Sequence, residues 1–458
     1  MKILFYTRNN LTVWTSFVLK NLSVKTDYLI VSELNIDSGY SLKEKFYENV
    51  YKDSSKAYAL KKFGYETCDE IIIRCRLLKN IDKEKSLRMI GAMSISIEYL
   101  LEKFQPDSFV ALRIDSYVLD LFNRLLIERN IKYIGLWKAA LKKNNFFITT
   151  KGEHISISEV KPESVDKLYE EINSEDFQAT SIKNTNEFSF LKFLRRWLYY
   201  KFRDTALSIA SKLQNDPLGY RYITSGKNVP EYKVKLKNFM VNSLFEKDWK
   251  NKLENSKLKT IFIGLQVNPE STIDYYVDDL GLINYERVTM ALVRTFLDEN
   301  YEVFIKDHPN MFGMRDYGFM KRLSSLDRVN LIPYDIPSTL FVKRCDVTYT
   351  WTGTIGLQAA LAGKCAVVAQ PTYYLQDCFV KLRNFEEISR LPSMVEKFNP
   401  ISEELGKALI EHVLKTYIPG RIDPLKFDNN NQELVAGTLK MVSNLDKLLP
   451  ELVKQRNI

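Results

Sequence analysis

Val347-Thr348-Tyr349-Thr350-Trp351-Thr352-Gly353-Thr354-Ile355-Gly356-Leu357-Gln358-Ala359-Ala360-Leu361-Ala362-Gly363-Lys364 runs directly into Cys365-Ala366-Val367-Val368-Ala369. Asp346 to Tyr349 reads as a strand, Thr352-Gly353-Thr354 as a tight turn, and the small-residue stretch opening at Thr354 to Gly356 as a helix. Cys365 to Ala369 then reads as a second strand. Strand and helix alternating in this way imply a parallel sheet with helices on its faces.

The same rhythm extends outward. Upstream, Thr260 to Gly264 reads as a strand, Asn284 to Asn300 as a helix, and Glu302 to Lys306 and Asn330 to Ile332 as further strands. A second block of the same kind occupies the amino-terminal part. Ile3 to Tyr6, Tyr28 to Val31, Glu70 to Ile73, Phe109 to Ile114 and Tyr133 to Leu136 read as strands, and Ser86 to Phe104 and Tyr117 to Asn130 as helices. Residues 146–255 break the pattern, being rich in Lys, Glu, Asn and Ser around an aromatic-basic helix, Phe188 to Phe202.

The expected class is therefore α/β, with two Rossmann-like domains facing a cleft and a helical insertion or linker between them. The expected boundaries are 1–145, 146–255, 256–422 and 423–458, the last a helical segment packing back toward the linker. A chain of 458 residues with 45% hydrophobic content is long for one core, which agrees with two domains.

The formal charge of +9, from 66 Lys and Arg against 57 Asp and Glu, indicates a modest attraction to phosphates, nucleotides or an anionic membrane. Neither an RRM-like nor an OB-like pattern accompanies it, so no nucleic-acid partner is expected. Cys68, Cys75, Cys345, Cys365 and Cys378 are widely spaced, without a CxxC pair and with three His in the chain. They read as reduced core thiols of a cytoplasmic protein rather than a zinc site. Met1-Lys2-Ile3-Leu4-Phe5-Tyr6 opens into a strand and lacks the features of a secretory signal. No run reaches the roughly 18 to 20 apolar residues that span a bilayer, so membrane contact is expected to be peripheral.

Three motifs follow strands of the second block, where ligands of such sheets sit. Phe304-Ile305-Lys306-Asp307-His308-Pro309-Asn310 places a cation at a strand end and an imidazole just beyond it. Lys306 and His308 suit a phosphate, and a proton on His308 can offset charge on a departing nucleotide. Pro309 stiffens the turn. The turn Thr352-Gly353-Thr354 offers N–H groups and hydroxyls at a helix amino terminus, a phosphate cradle without a Walker pattern, or simply a cap and a tight turn. Gly264-Leu265-Gln266-Val267-Asn268-Pro269-Glu270-Ser271-Thr272 supplies Gln266, Glu270, Ser271 and Thr272 as contacts to sugar, ribose or phosphate, or merely as turn chemistry.

This order, LQVNPEST, then IKDHP, then TWTGTIGLQAALAGK, resembles the capsule and surface-carbohydrate biosynthesis glycosyltransferases related to bacterial Kdo transferases. More loosely, it is similar to the HP motif of bacterial sialyltransferases. The resemblance is specific over roughly residues 260–375. It implies a GT-B fold and a nucleotide-sugar donor held mainly by the carboxyl-terminal domain. It further implies inversion at the anomeric carbon, with no metal and no cofactor required. His308 and Pro309 take the place of the HP pair that contacts the donor phosphate, and Thr352, Gly353 and Thr354 that of the Thr/Gly turn. A CMP-linked donor carrying Kdo or another acidic sugar is favoured, and a UDP-linked donor stays open. The chain departs from the family at Gln358, where an acidic residue is common. The family's catalytic base has no matching motif.

Strand-end placement makes Asp115 the expected base, with Arg8, Asn9 and Arg113 on the acceptor side, although Asp115 also reads as a cap of the following helix. Asp278-Asp279 reads as a solvated loop. The run Phe188 to Arg203 either lies on an anionic membrane, where a lipid-linked acceptor resides, or buries its aromatics between domains. The expected activity is transfer of a sugar to a surface-polysaccharide or lipid-linked acceptor, as in capsule or lipopolysaccharide synthesis. The expected location is cytoplasmic, either away from the membrane or peripheral on the inner face of the cytoplasmic membrane. A nucleotide-sugar epimerase and a non-catalytic nucleotide-sugar-binding subunit are the alternatives.

Overall fold

A computed structural model describes residues 1–8, 11–23, 27–34, 36, 38–150, 155–157, 159–174, 177, 188–213, 233–369, 374 and 377–454. The strands, in chain order, are β1 (Lys2–Tyr6), β2 (Asp27–Ser32), β3 (Tyr40–Ser41), β4 (Ser108–Leu112), β5 (Lys132–Lys138), β6 (Asn145–Ile148), β7 (Thr260–Gly264), β8 (Glu302–Lys306), β9 (Val329–Ile332), β10 (Val347–Thr350), β11 (Cys365–Ala369), β12 (Val380–Leu382) and β13 (Ile418–Pro419). The chain forms two compact units, Met1–Ser158 with Thr416–Ile458, and Glu159–Lys415.

The first unit carries a sheet of order β13-β6-β5-β4-β1-β2-β3. Strands β1 to β5 run parallel, while β6 is antiparallel to β5 and β13 to β6. The second unit carries an all-parallel sheet of order β12-β11-β10-β7-β8-β9. Both are Rossmann-like α/β layers, the class expected from the sequence. In each, strand order reverses beside the unit's first strand, between β1 and β4 and between β7 and β10. Chain leaving such a pair of strands diverges to opposite faces, which opens a crevice at their carboxyl ends.

Burial explains why these runs form strands. Every residue of β7 and of β11 is buried, because a parallel sheet is covered on both faces. The second core gathers Ile261, Ile263, Val303, Ile305 and Tyr349 with Val288, Leu292 and Phe296 of the Tyr285–Asp298 helix. That helix begins at Asn284, whose side chain accepts from Arg287 N–H and so caps it. The first core joins Ile3, Phe5, Val110 and Ile134 to Trp14 and Val18 of the Thr12–Lys20 helix.

Three readings of the sequence are corrected. Glu70 to Ile73, expected as a strand, lies in the Asp53–Arg74 helix. The β-branched run suggested a strand, but Cys68, Ile71 and Arg74 recur at a spacing of three and are buried. Glu70 also pairs with Arg74 at i,i+4 (2.7 Å).

The terminal helix, Gln432–Lys454, turns Met441, Leu445 and Leu449 into the first unit's core rather than toward a linker. It is brought there by β13 and by Gly420 at φ 145°, where a Cβ would stand 2.4 Å from Met441 Cα. Finally, residues 146–255 are not one inserted body. Strand β6 belongs to the first sheet. The Pro162–Asn173 helix lies against the second unit's Glu403–Lys415 helix, with Lys407 Nζ 2.8 Å from Asp166. The Phe190–Leu213 helix, eleven residues longer at its end than the predicted Phe188 to Phe202, also packs on the second unit.

Candidate functional site

In the second unit, the chain leaving the adjacent strands β10, β7 and β8 brings the three motifs together. Gln266, two residues beyond β7, is the tie. Its Oε1 accepts from Thr352 N–H (2.7 Å) and its Nε2 donates to Thr352 Oγ1 (3.1 Å) and Glu270 Oε2 (3.4 Å). Its backbone N–H donates to Tyr285 Oη at 2.8 Å, and its carbonyl accepts from Arg315 Nη2 at 2.6 Å.

The turn following β10 is tighter than expected. Thr352 N–H is held by Gln266, and Gly353 N–H donates to Thr350 Oγ1 (3.2 Å), so these two donors are engaged rather than free. The Thr354–Leu361 helix that follows has Gly353 at its N-cap and, among the described residues, no side-chain cap on the positive end of its dipole. A Cβ on Gly353 would stand 2.6 Å from Thr350 Oγ1, so a larger residue there would displace the hydroxyl that accepts from Gly353 N–H. Gln358 is buried in this helix.

Beyond β8, Asp307 is the hub. Its Oδ1 accepts from His308 N–H (2.8 Å) and from Arg315 Nε (3.1 Å) and Nη2 (2.6 Å), and its Oδ2 accepts from Tyr334 Oη (3.0 Å). Asp307 and Arg315 are 1% and 5% exposed, so this is a buried ion pair in which both Asp307 carboxylate oxygens are engaged. Burial works against the Arg315 cation, but Asp307 outweighs it and raises the pKa above that of an ordinary guanidinium.

Lys306 is buried, its Nζ making a long contact (3.5 Å) with the Asp307 carbonyl. Burial pushes its pKa down to about 8, while Asp307 and Asp335 oppose the fall. Burial likewise takes His308 down to about 4, against the pull of Asp307 and with Lys306 and Arg315 assisting. His308 is thus neutral at physiological pH, not the protonated acid expected from the motif. Its Nδ1 accepts from Asn310 N–H (3.1 Å), so the ring proton belongs on Nε2. The result is a neutral N–H donor and a buried ammonium beyond β8, with a helix amino terminus two strands away beyond β10, groups suited to a phosphate. The Ser271 and Thr272 hydroxyls, in the Gln266 to Thr272 loop, are buried and lack a hydrogen-bond partner among the described residues. Pro309 opens the short Pro309–Met311 turn of helix after His308.

The first unit holds a second strand-end cluster. Arg8, beyond β1, reaches Asp115, beyond β4, through two parallel hydrogen bonds of 2.9 Å each. It also donates to Ser116 Oγ (3.0 Å) and to Glu33 Oε1 (3.1 Å). Tyr6 Oη donates to Glu33 Oε2. Burial pushes the Asp115 carboxyl up, but Arg8, Arg76 and Arg113 outweigh it and hold it below the usual range. Glu33 moves the other way. Burial, with Asp115 adding to it, raises it to about 8. Arg113 stacks on Trp137, its guanidinium carbon 3.7 Å from the ring centroid. A cavity of about 570 Å³ opens in this unit, lined by Thr7, Thr12, Ser16, Lys20, Ile30 and Asn429 among others.

Sequence reading thus placed Lys306, His308, Gln266, Glu270 and the Thr352 to Thr354 turn in one neighbourhood, and Arg8 with Asp115 in another. Asn9 lies outside the described residues. It missed Glu33, which strand-end placement at β2 would have found. It also missed Asp307 as a hub and Arg315, which no local pattern marks. Among the described residues, no group of three or more His, Cys, Asp or Glu is placed to hold a metal ion. Cys68, Cys75, Cys345 and Cys365 are buried, and Cys378 is partly exposed.

Two parallel α/β layers, each gathering polar side chains where its strand order reverses, define a doubly wound protein of two Rossmann-like units. Residues 220–376 match the family described as "Capsule polysaccharide biosynthesis protein", a segment that lies within the second unit and contains all three motifs. The resemblance read from LQVNPEST, IKDHP and TWTGTIGLQAALAGK therefore holds over that segment. No curated protein matches the chain.

Among solved structures, the chain is similar to the KpsC beta Kdo 2,4 transferase of Thermosulfurimonas dismutans, with 12% identity, 74% of this chain and 87% of that one covered, and a TM-score of 0.34. It is similar to the KpsC beta Kdo 2,7 transferase of the same organism, with 10% identity, coverage of 91% and 90%, and a TM-score of 0.36. A third is the UDP-GlcNAc 2-epimerase of Methanocaldococcus jannaschii, with 11% identity, coverage of 90% and 99%, and a TM-score of 0.25. Likeness at this level specifies neither a substrate nor a residue role.

Proposed function

We propose that the chain is an inverting glycosyltransferase of capsule or related surface-polysaccharide synthesis. It takes its donor as a nucleotide sugar in the second unit and adds the sugar to a saccharide or lipid-linked saccharide. The observation that carries this reading is the placement of buried Lys306, neutral His308 and the Thr354 helix start at the β10-β7-β8 strand ends, with Gln266 bonded to Thr352 directly and linked to His308 through Arg315 and Asp307. It is supported by the family match over the same segment.

A carboxylate of the first unit removes the acceptor hydroxyl's proton, and the oxygen attacks the anomeric carbon from the face opposite the leaving group. The bond from that carbon to the phosphate oxygen breaks with its electron pair passing to the phosphate. Lys306, the His308 Nε2–H and the helix amino terminus stabilise that charge as it develops, so the scheme calls for no metal ion. Gln266, Glu270, Ser271, Thr272 and Gln358 complete the donor site, and Arg8, Asn9 and Arg113 serve the acceptor. Asp115 is held as the ionised partner of Arg8. Glu33, with its pKa raised to about 8, is the stronger base of the two once it is ionised. CMP carrying Kdo or another acidic sugar is the favoured donor, with UDP as the alternative nucleotide. The proposed location is the cytoplasmic side of the membrane, in peripheral contact with it.

His308→Ala is expected to slow transfer about 10²- to 10³-fold with the melting temperature retained, measured as product formed from CMP- and UDP-linked donors. A folded variant with near-normal transfer removes His308 from the mechanism. Conversion of a donor with no acceptor present would replace transfer by epimerisation. Nucleotide binding without either reaction would leave a non-catalytic sugar-nucleotide binder.

A further inference from the structure

The Phe190–Leu213 helix has two apolar faces, and the second unit covers one of them. Phe193 is fully buried among Met311, Phe312, Met314 and Tyr334, with Trp197 and Tyr200 packed beside it. Arg196 donates to the carbonyls of Asn310 (3.3 Å) and Phe312. The inner face is thereby fixed to the segment that leaves the His308-Pro309 turn.

The outer face is different. Leu191, Leu198, Phe202, Ile209 and Leu213 are 57%, 39%, 72%, 55% and 82% exposed, with Tyr199 beside them at 62%. Together with exposed Arg195 and Ala206 they recur every three or four residues, one continuous stripe along a 24-residue helix. At 1.5 Å per residue the stripe is roughly 36 Å long. The neighbouring segment Leu236–Leu244, joined to this helix through Phe239 against Phe190 and Phe193, exposes Leu236 and Met240. Charge narrows the occupant. In sequence the helix carries Lys192, Arg195, Arg196, Lys201, Arg203 and Lys212 against a single acidic residue, Asp204. Exposed aliphatic and aromatic side chains interleaved with cations suit the headgroup and upper acyl layer of an anionic bilayer, where rings sit at the boundary and lysine and arginine meet lipid phosphates. No described helix is long and apolar enough to cross a membrane, so the contact lies in the interface plane.

We infer that the outer face of the Phe190–Leu213 helix is the chain's seat on an anionic lipid surface, and that through Phe193 and Arg196 it holds the His308 turn of the second unit close to that surface. The seat does not depend on the transfer reaction proposed above, since binding involves no catalytic step.

Flotation of the full chain with vesicles tests it. The chain is expected to float with phosphatidylcholine vesicles containing phosphatidylglycerol and to stay behind with phosphatidylcholine alone, and added salt is expected to release it. L198S/F202S, two changes at exposed positions, is expected to lower the bound fraction about tenfold. R195E/K201E, which leaves the apolar stripe intact, is expected to do the same. The inference is overturned if the wild-type chain does not float with anionic vesicles, or if both variants, folded by circular dichroism, float as well as it does. It is equally overturned if sedimentation velocity shows a wild-type dimer that L198S/F202S converts to monomer, which makes the stripe a self-association face.

Discussion

The same position in the two sheets, the point where strand order reverses, is filled in two physically different ways. In the second unit the polar groups are buried and locked. Asp307 and Arg315 are all but inaccessible, every oxygen of Asp307 is engaged, and Gln266 bridges two strand ends through both ends of its amide. In the first unit Arg8 and Asp115 bridge the equivalent strands at 25% and 33% side-chain exposure. The first arrangement is a closed hydrogen-bonded network with the Lys306 ammonium buried beside it. The second is a partly hydrated ion pair with a protonatable carboxyl, Glu33, alongside. The contrast teaches that position in the fold selects where a site forms, while burial selects its chemistry. In the second unit burial lowers the pKa of Lys306 and His308, and in the first it raises that of Glu33 while the neighbouring arginines keep Asp115 ionised.

Breaking each ion pair exposes the contrast most strongly. Arg315→Leu strands Asp307 as a buried charge and is expected to cost about 3–5 kcal/mol of stability, read from urea unfolding. An effect below about 1 kcal/mol would mean that Asp307 finds water.

Next in size is the division of labour between the two first-unit carboxylates. Glu33→Gln is expected to reduce kcat about a hundredfold with little change in nucleotide affinity, whereas Asp115→Asn acts more weakly, through the placement of Arg8. Equal losses, or a larger loss at Asp115, would return the base to Asp115.

The titrations provide a smaller and sharper test. Lys306 is charged below its pKa of about 8 and neutral above it, so the affinity of a nucleotide phosphate is expected to fall as pH rises through that value, by up to about tenfold per unit. Glu33 is protonated below about 8 and becomes a base above it, so turnover rises over the range in which binding falls. Isothermal titration at several pH values follows the first change, and Lys306→Arg is expected to flatten it because a guanidinium stays charged. His308, at about 4, contributes no inflection between pH 6 and 9.

The smallest effect is expected at Arg8. Arg8→Leu removes a partly exposed pair and is expected to cost no more than about 1 kcal/mol in the same urea experiment, several times less than Arg315→Leu.

The motifs of the second unit were legible because each is local. A strand end, a polar turn and a helix start lie within a few residues in Phe304 to Asn310 and Val347 to Lys364, and periodicity alone assigns those elements. The first unit's cluster was half legible. Arg8 and Asp115 follow apolar runs, but Glu33 becomes a partner of Arg8 only when β2 is laid beside β1, with Tyr6 opposite Val31. Where periodicity misled, at Glu70 to Ile73, packing of the long helix against its neighbour overrode the preference of three isoleucines for a strand. The terminal helix could not be assigned a neighbour from its amphipathic pattern, since such a pattern states that a face is buried without stating against what.

By itself, then, the sequence determined the α/β class, the two blocks of parallel strands, and the residue types available at each strand end, because these depend on periodicities of two and three to four along the chain. Only the tertiary structure decided which strand ends became neighbours, that Asp307 and Arg315 form the buried support of His308, that His308 is neutral and Glu33 protonatable, and which face of the Phe190–Leu213 helix stays uncovered. Those outcomes depend on desolvation and on contacts between residues from eight to more than a hundred positions apart, quantities that exist only once the chain has packed.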